Sequence, residues 1–325
     1  MIRSLLFVLV LASSLAYAPA WSQQSAKIPL VAILVTHAAT DDPIFDKFRE
    51  GLRELGYEEG RNIKLELVTA LGNLDKLPAL AQDLIRRNPD VIIAPNELST
   101  RTAKEATTSI PIVMVGVSGY DPVEMGFVKS YARPGGNITG LYGFQTELET
   151  KRLELVKEIF PKISRVVVLY EPAFGRVALP EMHKWAKPLG LHLDAMEVKT
   201  SADLDAAFNA AKRKKARAVM LMNSPIFYVN RAQVAALGVR TKLPVIAPFN
   251  LLVKAGALAS HGPDAIAAWK RTAYYVDRIL KGTKPADLPV EQAYRFTLSV
   301  NLKTANALGI DIPMSILLRA DEVIQ

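Results

Sequence analysis

Short apolar runs rich in β-branched residues alternate with longer amphipathic ones along almost the whole chain, and the pattern runs through twice. The runs "PLVAILVT" (29–36), "NIKLELV" (62–68), "DVIIA" (90–94) and "PIVMVG" (111–116) have the length and composition of buried parallel strands. Between them, "PIFDKFREGLRELGY" places Phe45, Phe48, Leu52 and Leu55 at helical spacing, and Gly56 suits the end of that helix. "NLDKLPALAQDLIRRNP" repeats the device with Leu77, Leu80, Leu84 and Ile85 on one face, and Asn88-Pro89 stops it. Strand then helix at this period predicts a right-handed, doubly wound α/β sheet.

Beyond residue 144 the grammar restarts: helix "ELETKRLELVKEIFP", strand "RVVVLY", helix "LPEMHKWAKPLG", strand "LHLDAMEV", helix "DLDAAFNAAKRKK", strand "ARAVMLMN", helix "VNRAQVAALGVRT", strand "LPVIAP". Two doubly wound α/β lobes are therefore expected. Two blocks remain, each a strand followed by a helix, which implies that the chain crosses between lobes more than once. The expected division is 27–143 plus about 255–285 for the first lobe and 144–254 plus about 286–325 for the second, with a hinge at 142–146.

The stretch "ARPGGNITGLYG" (132–143) holds four glycines and a proline, and two phosphate-binding patterns can be tested on it. Gly135 and Gly140 have the spacing of a P-loop, but Leu141 stands where the lysine that reaches the phosphates is needed. The dinucleotide fingerprint belongs between a first strand and a first helix, whereas this cluster follows a fourth strand. Pro134-Gly135 fits the centre of a type II turn, proline fixing φ and glycine accepting a positive one. The cluster reads as a backbone device that turns the chain toward the hinge. Asn137-Ile138-Thr139 also matches a glycosylation sequon, which carries little weight after a leader of bacterial type.

Composition removes several chemistries. With 325 residues, half of them hydrophobic, the chain can bury a large core, and with no cysteine it has no disulfide, thiolate metal site, cysteine nucleophile or lipidated cysteine. The N-terminus has one basic residue, Arg3, an apolar run from Leu5 to about Ala18, and small residues at Ala18, Ala20 and Ser22. This predicts a signal peptide over 1–22, cleaved after Ala20 or Ser22, and an exported mature chain. The formal charge of +8 becomes 8 − 1 = +7 once Arg3 is removed. Its densest basic run, "KRKK" at 212–215, complements the C-terminal dipole of a helix and has no interleaved aromatic residue, so no nucleic-acid partner is expected. His37, His183, His192 and His261 show no paired spacing for a metal, and no Gly-x-Ser-x-Gly elbow occurs. Neither a metal, a cofactor nor a catalytic residue is expected; an exported hydrolase-like enzyme and a sensory cleft protein are the alternative readings.

The segments "LGYEEGRNI" (55–63), "DPVEMGFVKSYARPGGNITGL" (121–141), "KRLELVKEIFP" (151–161), "YVDRILKGTKPADLPVEQ" (275–292) and "NLKTANALGIDIPMSILLRADEVI" (301–324) resemble, in order, the substrate-binding protein family of ABC transporters. The similar branch has the type I periplasmic-binding fold and includes tryptophan and tyrosine binders. The resemblance implies a ligand cleft between the lobes, a monomer in the periplasm, a small-molecule solute, and delivery to a permease in the inner membrane. In open α/β sheets ligands gather beyond the carboxyl ends of strands. That rule selects His37, Asn96, Ser118 and Phe144 to Thr146 from the first half. From the second it selects Glu171, Phe174, Asn223, Ser224, Phe249 and Asn250. The three phenylalanines read equally well as core, and Asn96 as a helix cap. Against the family pattern, Ser224 stands where an acid is usual and His261 where a tyrosine is usual; acids and aromatics common near Leu251 and Ala247 are also missing. Together with the basic mature chain, this implies a carboxylate-bearing solute, amino-acid-like or an aromatic acid, held by Ser118, Thr146 and backbone N–H groups, with Glu171 still able to meet an ammonium.

Overall fold

The computed structural model describes residues 27–118, 121–143, 145–175, 179–292 and 296–325; the expected signal segment 1–22 and Phe144 lie outside the described residues. The first sheet contains β1 (Leu30–Val35), β2 (Lys64–Thr69), β3 (Val91–Ala94), β4 (Ile112–Ser118), β5 (Ile138–Gly143) and the short β11 (Glu291–Gln292). Its order is β11-β5-β4-β3-β1-β2, and every pairing is parallel. Alternation along β1 explains the layering. Val31, Ile33 and Val35 face α1 (Ile44–Glu54) and α11 (Ala265–Leu280), while Ala32 and Leu34 face α2 (Leu77–Arg86) and α3 (Glu97–Ala106). Phe45 meets the ring of Trp269 edge-on at 5.0 Å, locking α1 to α11.

The second sheet contains β6 (Arg165–Tyr170), β7 (His192–Glu197), β8 (Ala218–Leu221), β9 (Val245–Ala247), β10 (Ala259–Pro263), β12 (Phe296–Asn301) and β13 (Glu322–Ile324). The order is β13-β12-β10-β9-β8-β6-β7, parallel throughout except between β10 and β12. One face carries α4 (Gln145–Ile159) and α6 (Leu179–Ala186), the other α7 (Asp203–Arg213) and α9 (Arg231–Thr241). Shorter helices α5 (Pro172–Gly175), α8 (Pro225–Val229), α10 (Asn250–Lys254), α12 (Leu302–Leu308) and α13 (Met314–Leu317) complete the lobe. The two sheets give the doubly wound α/β pair expected from the sequence.

The expected lobe boundaries need correction at two places. β10 was assigned with 255–285 to the first lobe, yet it pairs with β9 and β12 in the second sheet. Gly262 permits this, because a Cβ there would stand 1.7 Å from the Pro248 carbonyl oxygen. Conversely, 286–292 belongs with the first lobe: β11 pairs with β5, and the Thr139 hydroxyl donates to the Leu288 carbonyl at 2.6 Å. The chain thus passes between the sheets three times, after β5, β10 and β11.

The glycine cluster has the backbone role read from its pattern. Gly135 has φ +70°, as the turn reading needs, and Gly140 has φ +125° where a Cβ would lie 2.2 Å from the Met114 carbonyl oxygen. Glycine lets β5 press against β4 at the register shift between Met114 and Val117.

Candidate functional site

Because the strands run parallel, the carboxyl ends of β1, β3 and β4 face those of β6, β8 and β9 across the gap between lobes. A cavity of about 170 Å³ lies there, walled by residues of both lobes. The first lobe supplies Thr36, Val115 and Trp269; the second supplies Phe174, Tyr228 and Phe249. The wall is predominantly apolar and aromatic, with Asn96, Glu97 and Asn223 among its few polar side chains.

The residues after each strand are held by local hydrogen bonds. Asn96 accepts from the Ser99 N–H at 2.9 Å in a reciprocal capping box with Ser99, and its amide donates to Thr36 Oγ1 at 3.0 Å. Its capping role and its place on the cavity wall are therefore compatible, and the positive end of α3 borders the cavity. Ser224 caps α8, accepting from the Ile226 N–H at 3.2 Å.

Behind the cavity, two polar contacts join the lobes. At the inner one His37 Nε2, after β1, stands 3.2 Å from Glu171 Oε1, after β6. The Ser224 hydroxyl donates to the other oxygen of that carboxylate. His37 and Glu171 are both buried, the Phe174 ring lies 6.1 Å from the imidazole, and His37 Nδ1 has no hydrogen-bond partner. At the outer contact the Tyr228 hydroxyl donates to Asp42 Oδ1 at 2.6 Å. Asp42 also accepts from the Ile44 N–H at 2.9 Å at the start of α1, and Arg231 stands 3.8 Å from its second oxygen. The Arg231 guanidinium lies over the Tyr228 ring at 4.7 Å. Burial, and then Asp42, push the Tyr228 hydroxyl well above the ordinary tyrosine range.

Of the expected site residues, Asn96, Asn223, Phe174 and Phe249 line the cavity, while His37, Glu171 and Ser224 form the inner contact beside it. Asn250 and His261 are not brought there. The Asn250 amide donates to Glu322 Oε2 at 3.3 Å, toward β13. His261 lies on the α4 side of its sheet, where burial and then Arg152 lower its pKa. Strand alternation explains it: Ala259, two residues back, faces the α4 core, so His261 does too. Ser118 ends β4 and Thr146 is the second residue of α4, but their side chains, like Phe144, lie outside the described residues. Trp269, Tyr228 and Asp42 went unselected. Trp269 comes from a helix that follows a crossing, and Tyr228 sits a turn inside α8, so neither directly follows a strand. The Asp42-Pro43 pair before a helix was the available signal for Asp42. Among the described residues no three His, Asp or Glu side chains gather as a metal site, and no helix is long and apolar enough to cross a membrane.

A family described as ABC transporter substrate binding protein matches residues 28–324. The chain belongs to that family. A tyrosine-binding protein of Clostridioides difficile is 28% identical over 276 residues, covering 83% of this chain and 79% of that protein. A crystal structure of a conserved domain protein from Vibrio cholerae is 31% identical with a TM-score of 0.81, covering 91% of this chain and all of that one. A Streptococcus pneumoniae domain in complex with L-Trp superposes with a TM-score of 0.80 at 24% identity, covering 91% of this chain and 99% of the other. The fold of this substrate-binding protein is the type I periplasmic-binding fold. Its family binds small-molecule solutes outside the cytoplasm and engages ABC permeases; it is not a family of enzymes.

Proposed function

We propose that the chain is a monomeric periplasmic receptor, freed by cleavage of the 1–22 signal segment, that delivers an aromatic, carboxylate-bearing solute of amino-acid size to a permease in the inner membrane. The observation that carries this reading is the aromatic-walled cavity between the lobes, with Phe174, Tyr228 and Phe249 facing Trp269 and the start of α3. Aromatic walls favour a flat apolar body, and a helix N-terminus beside them favours an anionic group. The tyrosine-binding relative supports the same solute class. Ser118 and Thr146 remain assigned to the carboxylate, and Glu171, behind the cavity, is the acid assigned to an α-ammonium.

Isothermal titration of the secreted protein with L-tyrosine, L-tryptophan, the matching arylpropionates and the amino-acid amides tests the assignment. Binding of an acid, with at least tenfold weaker binding of its amide, is expected, since a charge-assisted hydrogen bond contributes about 1.5–3 kcal/mol. Equal binding of amide and acid, or binding of sugars alone, overturns it.

A further inference from the structure

At the end of the second lobe remote from the cleft, the structure gathers basic side chains that are scattered in sequence. Strands β6, β7, β8 and β9 are parallel, so the loops entering them share one end of the sheet. Lys162 precedes β6, Lys187 precedes β7, Lys212, Lys215 and Arg217 precede β8, and Lys242 precedes β9. All six are exposed and carry no carboxylate partner among the described residues. A groove of about 840 Å³ runs between Lys162, Lys212, Arg217 and Lys242, with Asp311 the one acid on its wall. A second hollow, lined by Lys187, His183 and His192, meets it at Ser164. The nearby Asp194 is already held by Lys214 and Arg165.

The helix dipole accounts for lysines near these helix ends but not for their backbone. Lys215 follows α7 at φ +60° and Lys242 follows α9 at φ +58°, both left-handed. Other helices end in this conformation on glycine, as at Gly56, Gly256, Gly282 and Gly309, or on asparagine, as at Asn88. A side chain is strained in that conformation where glycine is not, so the fold alone favours glycine at both places.

We propose that this face adsorbs to the headgroup layer of a bilayer containing anionic phospholipid. Five of the six cations are lysines, compact charges on flexible stems, which suit a diffuse layer of phosphates better than the fork of an arginine site built for one phosphate. They spread along a row of strand ends rather than around an enclosed pocket. Adsorption by this end leaves the solute cleft turned to the solution while holding the receptor near membrane-borne permease.

Cosedimentation of the secreted protein with vesicles tests this. Binding is expected to vesicles of phosphatidylcholine with about a third phosphatidylglycerol, to fade as salt rises, and to be absent from pure phosphatidylcholine. A variant carrying Lys162→Gln, Lys212→Gln, Lys215→Gly and Lys242→Gly should partition on the order of a thousandfold less. A control with Lys64, Lys76, Lys129 and Lys284 changed to Gln has the same net charge and should keep most of the binding. Lys215→Gly with Lys242→Gly alone should melt no lower than the parent, which keeps folding apart from adsorption. No binding to the anionic vesicles, an equal loss in the control, or binding to soluble heparin without binding to vesicles overturns the proposal.

Discussion

The two polar contacts that join the lobes are built differently. At the outer one, Asp42 already serves the first turn of α1 through the Ile44 N–H, so its carboxylate stays anchored whether or not Tyr228 reaches it. At the inner one, Glu171 is buried between His37 and Ser224, which come from opposite lobes, and His37 Nδ1 is left with nothing. Opening the cleft therefore strips the inner contact of a partner it cannot replace within its own lobe. The outer contact loses one bond of several. The inner contact should set how firmly the lobes close, and the outer should adjust it.

The largest effect is expected from Glu171→Ala. It leaves the His37 imidazole and the Ser224 hydroxyl buried without their acceptor, a penalty of about 1–3 kcal/mol, or roughly 5- to 150-fold in solute affinity. Calorimetric titration reads the loss, and small-angle scattering should show a larger radius of gyration at solute concentrations that close the parent. If affinity and closure are unchanged, the inner contact does not hold the lobes.

Tyr228→Phe keeps the ring on the cavity wall and removes only the hydroxyl. A hydrogen bond to a carboxylate at this partly buried site contributes about 1.5 kcal/mol, so affinity should fall roughly tenfold with little change in melting temperature. The same hydroxyl gives a pH signature. Its protonated form is favoured in the closed protein, so its contribution is complete below the ordinary tyrosine value of about 10 and is lost as pH rises toward the elevated one. Parent affinity should decline above pH 10 while that of Tyr228→Phe stays flatter. A parallel decline in both would assign the effect elsewhere.

Arg231→Ala should do less. The cation over the Tyr228 ring and 3.8 Å from Asp42 is part-exposed, and about 0.5–1 kcal/mol, at most fivefold in affinity, is expected. High salt should erase most of the difference between variant and parent.

The smallest change is one that both contacts should ignore. His261 has a lowered pKa, so the unfolded chain binds its proton first. Its contribution to stability is complete above about pH 6.5 and is lost as pH falls below it. Melting temperatures of the parent should drop more steeply than those of His261→Asn between pH 7 and 5, with solute affinity at pH 7.5 alike in the two. A difference in affinity at that pH would place His261 in the closure after all.

Much of this molecule was legible in its sequence because its strands are short and buried on both faces. The runs at 29–36, 90–94 and 111–116 carry little besides apolar residues, and the helices between them keep one apolar stripe. The rule that ligands gather beyond strand ends found Asn96, Asn223, Phe174 and Phe249 for the same reason: parallel topology forces those ends together. It also selected Asn250, whose amide turns to Glu322 rather than to the cavity wall, and His261, chosen on the family pattern, follows the alternation of its own sheet away from it. It could not reach Trp269 or Asp42, whose places depend on which lobe a late helix joins and on which residue of α8 faces across the gap. Those are facts of tertiary packing with no local spacing to announce them. The boundary errors at β10 and β11 have the same origin, since a strand's own residues do not name the sheet that takes it.

The three passages between sheets have a consequence for the order of folding. The first sheet lacks its edge strand β11, and its core lacks α11 with Trp269, until residues 265–292 have been made. The second lacks β12 and β13 until the chain is nearly finished. Neither half can complete itself during synthesis, although each begins from its own N-terminal strand. A polypeptide arranged in this way stays incompletely packed, and therefore threadable, for almost the whole time it takes to emerge from the ribosome.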